Sequence, residues 1–239
     1  MKYIKMTSAH IRGILGVLAI LAALMTTPAP AHAWTYQATG AWASFNFGNW
    51  TVYQNEWGSP STPCTLYAND AGDFATSANW TGSGTKGYAH SQLNVNVNLN
   101  PYSDWAVTGF SNISNPGNGQ GNWFFDVWTE GGDELMIIKW DNNSGSWGSQ
   151  ISGPVTIDGH NYSSVWFVNG AGNGFHNVVI FSPSSNSTSE SGLDLMQYLR
   201  WANGKGCLTN YRLSGWDFGI EETIGNGQWT CSGFWGSWG

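Results

Sequence analysis

The chain has 239 residues with 8 Lys and Arg against 15 Asp and Glu, and it carries 16 Trp, 32 Gly and only 3 Cys. Residues 34–239 hold all 15 acidic residues but only five basic ones, a balance that argues against nucleic acid or an anionic membrane as partner. Abundant Trp, Tyr, Asn, Ser and Gly suits a protein that handles sugars, because aromatic faces pack on pyranose C–H groups while neutral amides pair with hydroxyls.

Lys2, Lys5 and Arg12 precede an apolar run from Gly13 to Met25, and small residues at Ala31 and Ala33 close the segment. This pattern predicts a secretory leader over residues 1–33, cleaved after Ala33, with export of a single domain over 34–239. The run is short for a bilayer span and no comparable run follows, so the exported chain is expected to be soluble, monomeric and free of membrane.

Strand-like runs then recur between Gly, Asn, Ser and Pro clusters, at Trp50–Tyr53, Gln92–Leu99, Trp123–Trp128, Glu134–Trp140, Ser164–Val168 and Asn177–Ser182. In the second of these, Leu93, Val95, Val97 and Leu99 alternate with Asn94, Asn96 and Asn98, the period of a strand with one buried face. Many short antiparallel strands predict an all-β sandwich of two sheets. One helix is expected late in the chain, capped by Ser191, with Asp194 in its first turn. Leu193, Leu195, Met196 and Leu199 form its apolar stripe, and it stops at Gly204.

Cys64, Cys207 and Cys231 give an odd count, so at least one stays unpaired; Cys207 with Cys231 is the expected disulfide, because both flank the segment carrying Glu221. Their spacing has no zinc signature and His90, His160 and His176 are scattered, so neither metal nor cofactor is expected.

Nucleophile-elbow, zinc-protease and phosphate-loop motifs are absent, which leaves carboxylates as the source of chemistry. Cleaving a glycosidic bond requires two, one to protonate the leaving oxygen and one to attack the sugar or activate water. Of six Glu residues, Glu190 precedes the expected helix and suits its dipole, Glu130 sits in a Gly-rich turn, and Glu56 reads as a loop charge. Glu134 instead opens the apolar strand Glu134-Leu135-Met136-Ile137-Ile138, where a charge is costly unless it faces a cleft or a partner. A three-residue loop at Thr129-Glu130-Gly131, with Gly131 left-handed, would put Asp126 directly across from Glu134; in another register Asp126 would be merely solvated. Toward the C-terminus, Gly219 and Gly225 flank Glu221 and permit close approach, whereas Glu222, pointing the opposite way, is expected to be exposed and without a role.

These segments resemble family 12 of the glycoside hydrolases. Asp133-Glu134-Leu135-Met136-Ile137 is similar to that family's Tyr-Glu-Ile-Met-Ile strand, and Gly219-Ile220-Glu221 with Gly225 to its Gly-Thr-Glu-Pro-Phe-Thr-Gly segment. Gln54-Asn55-Glu56-Trp57-Gly58 resembles its early Asn-x-Trp-Gly, Phe125-Asp126-Val127-Trp128 its Tyr-Asp-Leu-Phe, and Asn173-Gly174 before Val178–Phe181 its late Asn-Gly and strand. Departures occur at Asp133 in place of Tyr, Ile138 in place of Trp, and Glu222-Thr223 in place of Pro-Phe.

The resemblance implies a β-jelly roll with a concave cleft and endo-acting, retaining hydrolysis of β-1,4-linked glucan, whether cellulose, mixed-linkage glucan or xyloglucan. It implies Glu134 as nucleophile, Glu221 as acid/base and Asp126 as the nucleophile's partner. Met136, Asn55, Trp57 and Asn173 are the implied substrate-binding residues. Two other readings share the sandwich: a non-catalytic sugar-binding or lectin-like module, which has no need of paired carboxylates, and a family 11-like xylanase, which fits the Glu-Leu-Met-Ile and Asn-Glu-Trp segments less well.

Overall fold

The computed structural model describes residues 33–58, 63–81, 84–143, 147–170 and 176–239, so residues 1–32 of the expected leader, and Asn173, lie outside the described residues. The described chain builds seventeen strands and one helix. The first eight strands are β1 (Tyr36–Thr39), β2 (Ser44–Phe47), β3 (Trp50–Tyr53), β4 (Thr65–Ala68), β5 (Phe74–Trp80), β6 (Gly87–Leu93), β7 (Ala106–Phe110) and β8 (Asn112–Ser114). They are followed by β9 (Gln120–Thr129), β10 (Glu134–Asp141), β11 (Ser149–Ser152), β12 (Val155–Ile157), β13 (His160–Val168), β14 (Val178–Pro183) and β15 (Glu190–Asp194). Helix α1 (Leu195–Gly204) then precedes β16 (Leu213–Ser232) and β17 (Trp235–Trp238).

The strands form the two layers of a jelly-roll sandwich, and β16 belongs to both. Its first part pairs with β6 and β9 in the layer ordered β2-β3-β6-β16-β9-β10-β14-β13, while Gly225–Cys231 pairs with β5 in the layer that also holds β4 and β1. A separate three-stranded sheet, β15-β7-β17, completes the second side. Pairing is antiparallel except between β10 and β14, which run parallel; the intervening β11, β12 and β13 supply the return crossover that parallel neighbours require.

Alternation divides the side chains of the first layer between two environments. Phe125 and Val127 of β9, Leu135 and Ile137 of β10, and Phe218 and Ile220 of β16 enter the core between the layers, where they meet Leu66, Phe74 and Phe110 from the other side. Phe218 stacks on Phe110 at 4.5 Å and touches Phe125 at 4.6 Å. Each such ring contributes about 1.5–3 kcal/mol through burial. The opposite face gathers Tyr88, Phe124, Met136, Ile138 and Ile180 into a second apolar cluster, with Trp166 and Val168 against it. Central strands buried on both faces explain why β9 and β10 read as continuous apolar runs.

Several expectations change. The Gln92–Leu99 strand ends at Leu93, Val95 is exposed, and Asn98 takes a left-handed φ of 47°, a conformation that Asn tolerates and a strand does not. Helix α1 is capped by Asp194, whose carboxylate accepts the Met196 N–H at 3.0 Å; Ser191 and Leu193 lie in β15, drawn into a strand by pairing with β7. Leu195, Met196 and Leu199 are buried as expected, together with Tyr198 and Ala202. No disulfide joins Cys207 to Cys231: both, and Cys64, are free buried thiols, Cys207 behind the helix and Cys231 in β16 opposite Phe74.

Candidate active site

The face of the first layer turned away from the main core carries the carboxylates. On β10, Glu134 pairs with Trp128 of β9, and Met136 pairs with Asp126. On β16, Asp217 pairs with Asp126 and Glu221 with Asn122. The period of two sets Asp126, Glu134, Asp217 and Glu221 on one face of three adjacent strands.

The hairpin that fixes this register differs by one residue from the expected one. Its loop is Glu130-Gly131-Gly132, closed by Thr129 N–H to Asp133 O at 2.9 Å, and Gly132 rather than Gly131 has the positive φ, 78°. A Cβ on Gly131 would press on Thr209 and Asn210, so the first glycine serves packing and the second the turn. Asp126 therefore faces Met136 directly and reaches Glu134 diagonally, a pairing that remains within side-chain reach. Asp133 points the other way, accepting the Thr209 hydroxyl at 2.7 Å.

Burial and mutual repulsion hold protons on this cluster. Asp126 is raised well above the carboxylate range by burial first and then by the charge of Glu134, to which it also hydrogen-bonds. Burial pushes Asp217 up to about 8, against the hydrogen bond that it accepts from the Tyr88 hydroxyl. Glu221 is pushed up to about 7, by burial and then by Glu134; the Asn122 amide contacts it at a long 3.5 Å. The site thus pairs a carboxylate with a neighbouring carboxyl able to donate a proton near neutral pH.

Around these acids the surface is aromatic and polar. Tyr88 stacks on Phe124 at 4.9 Å and on His90 at 4.4 Å, and burial pushes His90 down to about 4, leaving it neutral. A recess of about 500 Å³ next to Trp128 is lined by Tyr53, Gln92, Asn94 and Ser214. Asn55, at a left-handed φ of 44°, accepts the Tyr88 N–H at 3.0 Å through its backbone carbonyl. That contact brings the Asn55–Trp57 segment to the end of the layer where Tyr88 pairs with Glu221. Trp57 is 50% exposed, and Met136 is buried in the cleft floor.

Three acids set aside or misjudged in the sequence prove to be structural. Glu222 is not exposed but fully buried on the core side of β16, accepting the Trp80 indole N–H, and burial pushes it up to about 7. Glu56 is buried as well, paired in backbone register with Gly87, and its charge acts on Glu222. Glu190 does not serve the helix dipole: it lies in β15 and binds the Lys139 ammonium at 2.6 Å, with His160 at 3.4 Å.

Two residues of the site were not assigned from sequence. Asp217 could have been found, since residues 217, 219 and 221 alternate onto one face. His176, whose Nε2 lies 2.7 Å from Glu134 Oε2, could not: it precedes β14, and only the parallel β10–β14 register brings it beside Glu134.

The sequence matches no protein-family model and no curated protein. Its fold does match solved structures. The xyloglucanase domain of NopAA, a type three effector from Sinorhizobium fredii solved with cellobiose, superposes with a TM-score of 0.76 at 18% identity, covering 87% of this chain and 100% of that one. A family 12 xyloglucanase from Bacillus licheniformis gives 0.74 at 22% identity over 85% of this chain and all of its own. Endoglucanase 3 of Trichoderma harzianum, from family 12, gives 0.74 at 20% identity over 87% and 100%. The chain has the fold of the family 12 glycoside hydrolases.

Proposed function

We propose that this chain is an exported, endo-acting and retaining glycoside hydrolase that cleaves internal β-1,4 bonds of a glucan. The observation that carries the reading is the carboxylate pair Glu134 and Glu221 on one face of β10 and β16, the two strands that flank β9, with Glu221 raised to about 7 by burial and then by the charge of Glu134. The fold, shared with xyloglucanases and an endoglucanase, and the aromatic, amide-rich recess support glucan as the substrate class.

In the proposed mechanism, protonated Glu221 donates to the oxygen of the departing chain while Glu134 attacks the anomeric carbon, forming a glycosyl-enzyme. Glu221, now ionised, takes a proton from water, which releases the sugar with its original configuration. Asp126, kept protonated by burial, donates a hydrogen bond to Glu134 and holds it in place. Residues 1–33 act as a leader, and the exported protein is expected to begin at Trp34.

A reducing-sugar assay on carboxymethyl cellulose, barley glucan, xyloglucan, xylan and mannan should give release from the glucans and none from mannan. Proton NMR before mutarotation should show the β-anomer first. Binding without release would move the reading to a sugar-binding module, and α-anomer first would remove Glu134 as nucleophile.

A further inference from the structure

We propose that His176 is a positioning residue for Glu134, holding Oε2 of its carboxylate so that attack falls to Oε1. The proposal rests on the reading of Glu134 as nucleophile. Its geometric basis is the 2.7 Å contact between His176 Nε2 and Glu134 Oε2.

The surrounding structure fixes both ends of that contact. The Glu134 N–H donates to the Asn177 carbonyl at 2.9 Å, and Glu134 pairs with Val178, so the backbone bearing His176 is tied directly to the start of β10. The Asn177 side chain accepts the Gly170 N–H at 3.1 Å, which anchors the same segment to the end of β13. From the other side Trp128, the cross-strand neighbour of Glu134, presents its ring at 5.0 Å and 66° to the imidazole. A side chain held by backbone on one side and an aromatic edge on the other has little freedom to leave the carboxylate.

Charge gives the contact its function. The titratable groups around the pair are Asp126 from β9, Asp217 and Glu221 from β16 and, turned toward Thr209 but acting on His176 through its charge, Asp133 from the hairpin, all of them carboxyls. In that company an imidazolium is favoured over a neutral imidazole. The hydrogen bond to Glu134 raises His176 above its ordinary value, consistent with a charged pair. The sign follows: removing the Glu134 carboxylate should lower the pH at which His176 titrates.

The test compares wild type, His176→Ala, His176→Gln and Glu134→Gln, each checked for folding by circular dichroism. On barley glucan, His176→Ala should lower kcat about tenfold while KM stays close to that of wild type. His176→Gln, which keeps a donor to the carboxylate, should regain much of kcat. Independently of activity, the His176 imidazole followed by NMR should titrate about one pH unit lower in Glu134→Gln than in wild type. Wild-type kcat in His176→Ala overturns the proposal, as does an unchanged His176 titration in Glu134→Gln. Full hydrolytic activity of Glu134→Gln overturns the nucleophile reading instead, whatever the NMR result.

Discussion

Glu221 and Glu222 are neighbours on β16 that face opposite sides of one layer, and both are pushed up to about 7. For Glu221 the second cause is Glu134, on the far side of β9; for Glu222 the other cause that raises it is the charge of buried Glu56. If Glu221 is the general acid it works only while protonated, so kcat/KM should fall as pH rises through about 7, as a pH profile on a soluble glucan would read. Glu221→Gln should lose activity about 10²–10⁴-fold, whereas Glu222→Gln should keep most of it, because its side chain never reaches the cleft. Loss of activity in Glu222→Gln with an intact fold would reverse this assignment. Both cleft glutamates were legible because each interrupts an apolar or glycine-flanked strand, where a charge needs a reason. The buried role of Glu222 was not, since alternation assigns it a face without saying whether that face meets water or protein.

At the scale of elements, the sheet registers decide which residues meet. The hairpin between β9 and β10 was legible as a three-residue loop from its glycines, but Gly131 and Gly132 left its position open by one residue. The parallel pairing of β10 and β14 had no local signal at all, because the crossover that produces it runs through three intervening strands. Gly219 shows how tightly register and site are linked. A Cβ there would meet the Ala89 carbonyl oxygen, and His90 Cβ at 2.5 Å, so β16 and β6 would have to separate two residues from Glu221. Gly219→Ala should therefore cost about 1–3 kcal/mol in urea unfolding and also displace Glu221. Its kcat should fall even at temperatures where circular dichroism shows a folded protein. Wild-type kcat in a destabilised Gly219→Ala would mean that the strain is relieved elsewhere, away from the acid.

For the whole molecule, folding an acidic chain around buried carboxyls makes stability depend on pH in a definite direction. Asp126, Asp217, Glu221 and Glu222 are all raised above the ordinary carboxylate range, chiefly by burial. At these groups the folded state therefore holds more protons than the unfolded state once pH exceeds about 4, and their contribution to stability falls as pH rises until Asp217, Glu221 and Glu222 have ionised near 7 to 8. Glu222 isolates one part of this effect, because it lies on the core side of β16, away from the cleft. Its neighbours are Trp80 and Thr76, which favour its charged form by hydrogen bonding, and Glu56, which opposes it. Glu222→Gln retains an oxygen for the Trp80 indole and removes the ionisation. A shift from 4.5 to about 7 corresponds to about 3 kcal/mol, so the variant should be more stable than wild type by roughly that amount at pH 8 and by almost nothing at pH 4.5. Urea midpoints measured at both values provide the check. An equal difference at the two pH values would mean that the substitution acts through packing alone and that Glu222 ionises in the folded protein as it does in the unfolded chain.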